Sequence, residues 1–283
     1  MPFSTSDGVP LWTLTSGTAS SLPPVVIVHG GPGLWDDYAV LAEMLDDLTV
    51  VHRFDQRGCG RSGPSELQSV RRTAQDIDEL REYWGHERIV VLGHSFGATL
   101  ALAYAGWYGD RAAGVVYVGG VGIGDWRTPE RAERARRMTP PQVDRLDELG
   151  EKRDRTPEQE IEFRVLAWFP DHADRSMAMT WARDSAAVDL PINFAANREL
   201  LLDVNRWPEG YLAGLAAGLR APVTFVHGAG DPRSAVNVRD LAAHTQRHTF
   251  HLVPDAGHFP WLEQPELFRK VLREALQGCG NKF

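Results

Sequence analysis

Short runs of branched apolar residues with almost no polar alternation recur along the chain: Val25-Val26-Ile27-Val28, Thr49-Val50-Val51, Ile89-Val90-Val91-Leu92, Val115-Val116-Tyr117-Val118 and Val223-Thr224-Phe225-Val226. Strands buried on both faces read this way. Between them, Asp37 to Asp47, Val70 to Trp84 and Ala98 to Tyr108 carry apolar residues at helical spacing. The alternation predicts β-α-β units, hence an α/β fold with a mostly parallel, doubly wound sheet. Pro265 at a first helical position, followed by Leu267, Phe268, Val271, Leu272 and Leu276 on one stripe, predicts a C-terminal helix packed on that sheet.

From Gly122 to Gly218 the strand signal stops and the pattern turns helical and charged, with 18 acidic and 14 basic residues and prolines at 129, 140, 141, 157, 170, 191 and 208. Strand signals resume at Val223, so this stretch interrupts the body. The expected division is a body of 1–121 and 219–283 with a helical cap, 122–218, over the carboxyl edge of the sheet, where open α/β sheets bind ligands.

Composition narrows the partners. The 283 residues hold 30 Lys and Arg against 38 Asp and Glu, a net charge of −8, which disfavours nucleic acid and anionic membranes. The longest uncharged apolar stretch, Ala112 to Gly124, is interrupted far short of the ~20 residues of a membrane span. The start, MPFSTSDGVPLW, has neither a basic nor an apolar signal region, so a cytoplasmic location is expected. Cys59 and Cys279 are the only cysteines and are expected to be free thiols, with no disulfide framework and no thiolate metal site. The expected partner is a small molecule or short peptide, with no cofactor and no metal.

Gly93-His94-Ser95-Phe96-Gly97 fits G-x-S-x-G directly between a predicted strand and a predicted helix, where a sharp turn lifts the serine above the sheet. A serine hydroxyl needs a base, and that base needs an orienting carboxylate. Asp231, in Gly228-Ala229-Gly230-Asp231 after a strand, is the predicted acid, and Asp125 and Asp255 are rivals. His258, in Asp255-Ala256-Gly257-His258 after the strand-like Thr249 to Val253, is the predicted base. His29-Gly30-Gly31-Pro32-Gly33 ends the first central strand and reads as a source of an oxyanion donor, so the main-chain nitrogens of Gly31 and Phe96 are the candidate oxyanion hole.

HGGPG at 29–33, DQRGCGRS at 55–62, GHSFG at 93–97, GAGD at 228–231 and DAGHFPWLEQP at 255–265 together resemble the α/β-hydrolase superfamily, in particular its proline iminopeptidase branch. The resemblance covers about residues 9–121 and 219–277. It implies an α/β-hydrolase fold with the cap inserted after the sixth strand, Ser95 as nucleophile, Asp231 as acid, His258 as base, and Asp55 and Arg57 as a structural loop pair with no part in the chemistry. In that branch a glutamate-containing cap segment binds the substrate's free amino group. Glu199, among Phe194, Leu200 and Leu201, is the residue the resemblance puts there. The activity implied is a cofactor-independent serine hydrolase that cleaves a small aminoacyl amide. Esterase, lactonase or carbon–carbon bond hydrolase chemistry is the alternative, and a ligand receptor that keeps the triad is a third reading.

Overall fold

The computed structural model describes residues 3–280, so the outermost residues of the expected body lie outside it. A short antiparallel pair, β1 (Phe3–Ser4) and β2 (Pro10–Leu11), precedes a seven-stranded sheet. That sheet contains β3 (Thr13–Ser16), β4 (Val25–Val28), β5 (Val51–Phe54), β6 (Ile89–His94), β7 (Ala112–Val118), β8 (Val223–Gly228) and β9 (His248–Val253), in the spatial order β3-β5-β4-β6-β7-β8-β9. Within this sheet only the β3–β5 pair is antiparallel.

Period-two alternation sends neighbouring residues to opposite faces. Val26, Val28, Val91, Val115 and Tyr117 join one core, packed under α2 (Val70–Tyr83), α3 (Phe96–Trp107) and α10 (Ala235–Ala242). Val25, Ile27, Val90, Leu92, Val116 and Val118 join the other, under α1 (Ala39–Glu43), α11 (Pro260–Glu263) and α12 (Pro265–Gly280). β4 and β7 are apolar throughout because they have no wet face.

β5 starts where its predicted counterpart ends. Thr49 is a connection residue whose hydroxyl donates to the carbonyls of Leu22 and Pro23. The strand continues through His52 and Arg53, two polar residues that conceal it in the pattern. His52 stacks on Trp84 with ring centroids 3.9 Å apart, and Arg53 is salt-bridged to Asp36.

Between β7 and β8 run α4 (Arg127–Arg136), α5 (Pro140–Glu151), α6 (Pro157–Trp168), α7 (Ala178–Ala186), α8 (Phe194–Asn205) and α9 (Tyr211–Ala217). They enter after the fifth strand of the large sheet in chain order, not after a sixth. Leu149, Val165, Leu166, Phe169, Ala178 and Ala182 form a separate small core there. Leu200, Ala216 and Leu219 belong instead to the body's core, so the last helices of the expected cap are packed into the body. No helix among the described residues is long and apolar enough to cross a membrane.

Candidate active site

Ser95 stands between β6 and α3 with φ 57° and ψ −120°, a conformation that L side chains rarely adopt. Its N–H donates to the Val118 carbonyl at 2.8 Å, which ties the turn to the neighbouring strand. Glycine is required on both sides by close approach. A Cβ on Gly93 would lie 2.0 Å from the Gly97 carbonyl oxygen, and one on Gly97 would lie 2.2 Å from the Val28 carbonyl oxygen. The turn can therefore be this tight only with the residues the motif supplies.

Asp231 follows the end of β8 and His258 lies in the loop after β9, and both are buried. His258 Nδ1 is 2.7 Å from Asp231 Oδ2, and a Nδ1–H donated to the carboxylate leaves Nε2 as the ring's acceptor. Asp231 Oδ1 accepts the Arg233 N–H at 2.9 Å and lies 3.3 Å from Arg233 Nη1. Burial alone would raise the Asp231 carboxyl, but the His258 ring and the Arg233 guanidinium outweigh it and hold the group well below the usual carboxylate range. Arg233 Nη1 also donates to Asp171 Oδ1 at 2.9 Å, and Arg134 Nη1 to the same oxygen at 2.6 Å. Asp171, carried by the helical segment, is likewise held low against its burial by Arg233 and Arg134. Its main-chain carbonyl accepts the N–H of His258 at 2.8 Å. Glu263 Oε2 accepts from the N–H groups of Ala173 and Asp174, and its Oε1 from that of Gly257. Residues 171–174 of the helical segment are thereby fastened to the loop that carries His258.

The glycine-rich loop after β4 turns at Gly31, whose φ is 123°. Its far end is held by the helical segment: Asn193 N–H donates to the Gly33 carbonyl and Asn197 Nδ2 to that of Pro32, both at 2.8 Å. Phe96 is the first residue of α3, where a main-chain N–H has no partner within the helix.

A cavity of about 380 Å³ is shared by some of these residues, though not by Phe96 or Asp231. Ser95, His258 and Gly31 line it from the body, and Glu130, Arg134 and Trp168 from the helical segment. The expected substrate ligand Glu199 is not among its lining residues. Glu199 is exposed on α8 and lies 3.6 Å from Arg198 Nε, because that helix turns Ala196 and Leu200 inward and leaves Phe194 47% exposed. The acidic residues that line the cavity are Asp37, Glu130 and Asp171. Asp171 is neutralised by two arginines and Glu130 is 3.3 Å from Arg134 Nε, whereas Asp37 has no salt bridge among the described residues.

Of the rival acids, Asp125 is exposed and accepts the N–H groups of Arg127 and Thr128. Asp255 is an exposed turn residue with φ 51°. Asp55 and Arg57 do not pair with each other: Asp55 holds Arg61 at 2.6 Å, and Arg57 holds Asp76 at 2.6 Å. The sequence pattern gave no sign of Asp171, Arg233, Glu263 or Tyr38, each of which has a partner far away along the chain. Among the described residues no group of three or more His, Cys, Asp and Glu side chains gathers as metal ligands would.

Comparison with known proteins places the chain in its family. Residues 23–265 match the family described as the alpha/beta hydrolase fold. A proline iminopeptidase of Neisseria gonorrhoeae is 37% identical over 99 residues, which cover 34% of this chain and 32% of that protein. The matched stretch is thus about a third of the relative's length. A protein of Rattus norvegicus named 1-acylglycerol-3-phosphate O-acyltransferase ABHD5 is 27% identical over 96% of this chain and 83% of its own. A thermophilic esterase of Thermogutta terrifontis superposes with a TM-score of 0.74 at 24% identity, covering 99% of this chain and 97% of its own. The chain belongs to the α/β-hydrolase fold family and is similar, over about a third of its length, to the proline iminopeptidases.

Proposed function

We propose that the protein is a cofactor-independent serine hydrolase that works through an acyl-enzyme on a small substrate, with an aminoacyl amide as the preferred class. The observation that carries this reading is the 2.7 Å contact between His258 Nδ1 and Asp231 Oδ2 in a loop that shares one cavity with Ser95. In the proposed reaction Ser95 Oγ attacks the substrate carbonyl as His258 Nε2 takes its proton. The oxyanion that forms faces the N–H groups of Gly31 and Phe96. His258 then gives the proton to the leaving amine or alcohol, and water repeats the sequence on the ester of Ser95. Asp231 stays ionised throughout and stabilises the imidazolium.

An ammonium carried into a partly desolvated pocket needs a carboxylate, and Asp37 and Glu130 are the groups that support an amine-bearing substrate in place of Glu199. A second reading, hydrolysis of an ester or lactone, draws support from the apolar wall of Leu34, Trp35, Trp168 and Phe259. The free thiols Cys59 and Cys279 suit a reducing cytoplasm.

The test compares a prolyl or alanyl arylamide, its N-acetylated form and an activated aliphatic ester, in wild type and Ser95→Ala. Multiple turnover with a clear preference for the free amine supports the first reading. Equal rates on both amides, with faster ester cleavage, transfer it to the second. Stoichiometric labelling of Ser95 by a fluorophosphonate without turnover on any substrate would leave a ligand receptor.

A further inference from the structure

Tyr38 and His94 are both buried, and neither is one of the three residues assigned to bond cleavage. The Tyr38 hydroxyl accepts the N–H of Gly30 at 3.2 Å and lies 2.8 Å from His94 Nδ1. His94 Nε2 in turn lies 2.9 Å from the main-chain carbonyl of His258. A carbonyl can only accept, so His94 carries its proton on Nε2 and presents Nδ1 as an acceptor to the tyrosine O–H. Burial keeps the His94 ring neutral, well below the usual imidazole value, and pushes the Tyr38 hydroxyl well above the usual phenol value. The hydrogen bonds therefore run in one direction along the Tyr38–His94 segment: Gly30 N–H to Tyr38 Oη, Tyr38 O–H to His94 Nδ1. His94 Nε2–H closes the chain on the His258 carbonyl.

The other face of the Gly30 residue is held as well. Its carbonyl lies 2.9 Å from His29 Nδ1, and His29 Nε2 accepts the N–H of Gln56 at 2.9 Å, which fixes Nδ1 as the protonated nitrogen. The Gly30 carbonyl belongs to the same planar peptide as the N–H of Gly31. Fixing that carbonyl orients the Gly31 N–H to the opposite side, and a bond accepted at the carbonyl strengthens the donor across the peptide.

We propose that Tyr38 and His94 are positioning residues that hold the oxyanion loop and the loop of the catalytic base in one fixed relation, through a neutral, directed hydrogen-bond chain. The inference rests on the serine-hydrolase reading above. It assigns these residues to transition-state geometry and not to substrate binding. Tyr38 also packs its ring against Trp261 and His94, with centroids 5.7 Å apart in each case, so Tyr38→Phe removes the oxygen and keeps the packing.

Tyr38→Phe is expected to lower kcat 10- to 100-fold with KM within twofold and thermal stability close to wild type. A small alkylboronic acid, which forms a tetrahedral adduct with a serine, should lose affinity in proportion to the loss in kcat/KM. His94→Gln retains a donor for the His258 carbonyl but breaks the contact with Tyr38, and should resemble Tyr38→Phe. The double variant should be no worse than the poorer single one, because both cut one chain. An unchanged kcat in Tyr38→Phe overturns the proposal, as does an additive double variant or a rise in KM with boronate affinity retained. Ser95→Ala, measured alongside, separates the two levels: if it keeps activity, the serine reading and this inference both fall. A Ser95-dependent enzyme indifferent to Tyr38→Phe overturns this inference alone.

Discussion

Arg233 meets Asp171 across the boundary between the body and the helical segment, with Nη1 2.9 Å from Oδ1 and neither side chain more than 14% exposed. The folded state keeps the Asp171 carboxyl depressed, through Arg233 and Arg134 against its burial. A depressed acid contributes stability that is present above its unfolded value, about pH 4, and is lost as pH falls from there towards the folded value. Asp171→Asn should therefore cost about 3 kcal/mol at pH 7, as expected for a broken buried pair. It should also give a shallower loss of stability between about pH 5 and 3 than wild type. Urea denaturation across that range measures both, and parallel curves would remove Asp171 from the account of acid unfolding.

The backbone at Ser95 makes a separate claim about stability. A non-glycine residue in so sparsely populated a conformation costs of order 1–3 kcal/mol. Ser95→Ala keeps the Cβ and should be inactive with unchanged stability. Ser95→Gly should be equally inactive but more stable, by about 1 kcal/mol after the entropic cost of glycine. Calorimetry of the two variants decides it, and a Ser95→Gly protein less stable than Ser95→Ala would argue against strain at the turn.

Asp231→Asn should lower kcat by about 10⁴ while the protein stays folded, because the amide favours the wrong imidazole tautomer. Asp125→Asn and Asp255→Asn should change it less than threefold, since both residues are exposed and serve only local turns. Steady-state rates of the three variants rank the acids.

Glu199→Gln should leave every rate unchanged. Asp37→Asn should erase a preference for free amines over their acetylated forms, mostly through KM, while sparing activated esters. Parallel assays on the three substrates test this, and a selective loss in Glu199→Gln would restore the role that its place on α8 denies it.

Legibility of the sequence followed the range of the interactions. The Ser95 turn was readable because its cause is local: two glycines, a strand ending and a helix beginning. Asp231 and His258 could be brought together in advance because each follows a strand, in the order the proposed chemistry requires. β5 was half hidden because His52 and Arg53 interrupt an apolar run for the sake of partners on other elements. Glu199 misled because Phe194, which made its helix face look inward, is itself exposed, while Ala196 and Leu200 one turn apart define the buried side. Asp171 left no trace, since it pairs with Arg233, 62 positions later.

Gly257 offers a way to disturb the proposed base, His258, without touching any residue of the proposed triad. A Cβ there would lie 2.2 Å from the Asp171 carbonyl oxygen and 2.8 Å from the Ala173 nitrogen. Gly257→Ala should lower kcat at least 10-fold, with fluorophosphonate labelling of Ser95 slowed to match. Wild-type labelling in a folded Gly257→Ala protein would show that His258 tolerates displacement of its neighbour.

The bond from the His258 N–H to the Asp171 carbonyl joins main chain to main chain, so an alanine scan of either residue would leave it in place. What it constrains is chain length. An insertion or deletion between Phe169 and Arg175 changes which carbonyl meets the His258 N–H, so the length of that segment is constrained as well as its side chains. Chimaeras that exchange the helical segment between members of the family should therefore need a graft that restores a carbonyl at that point.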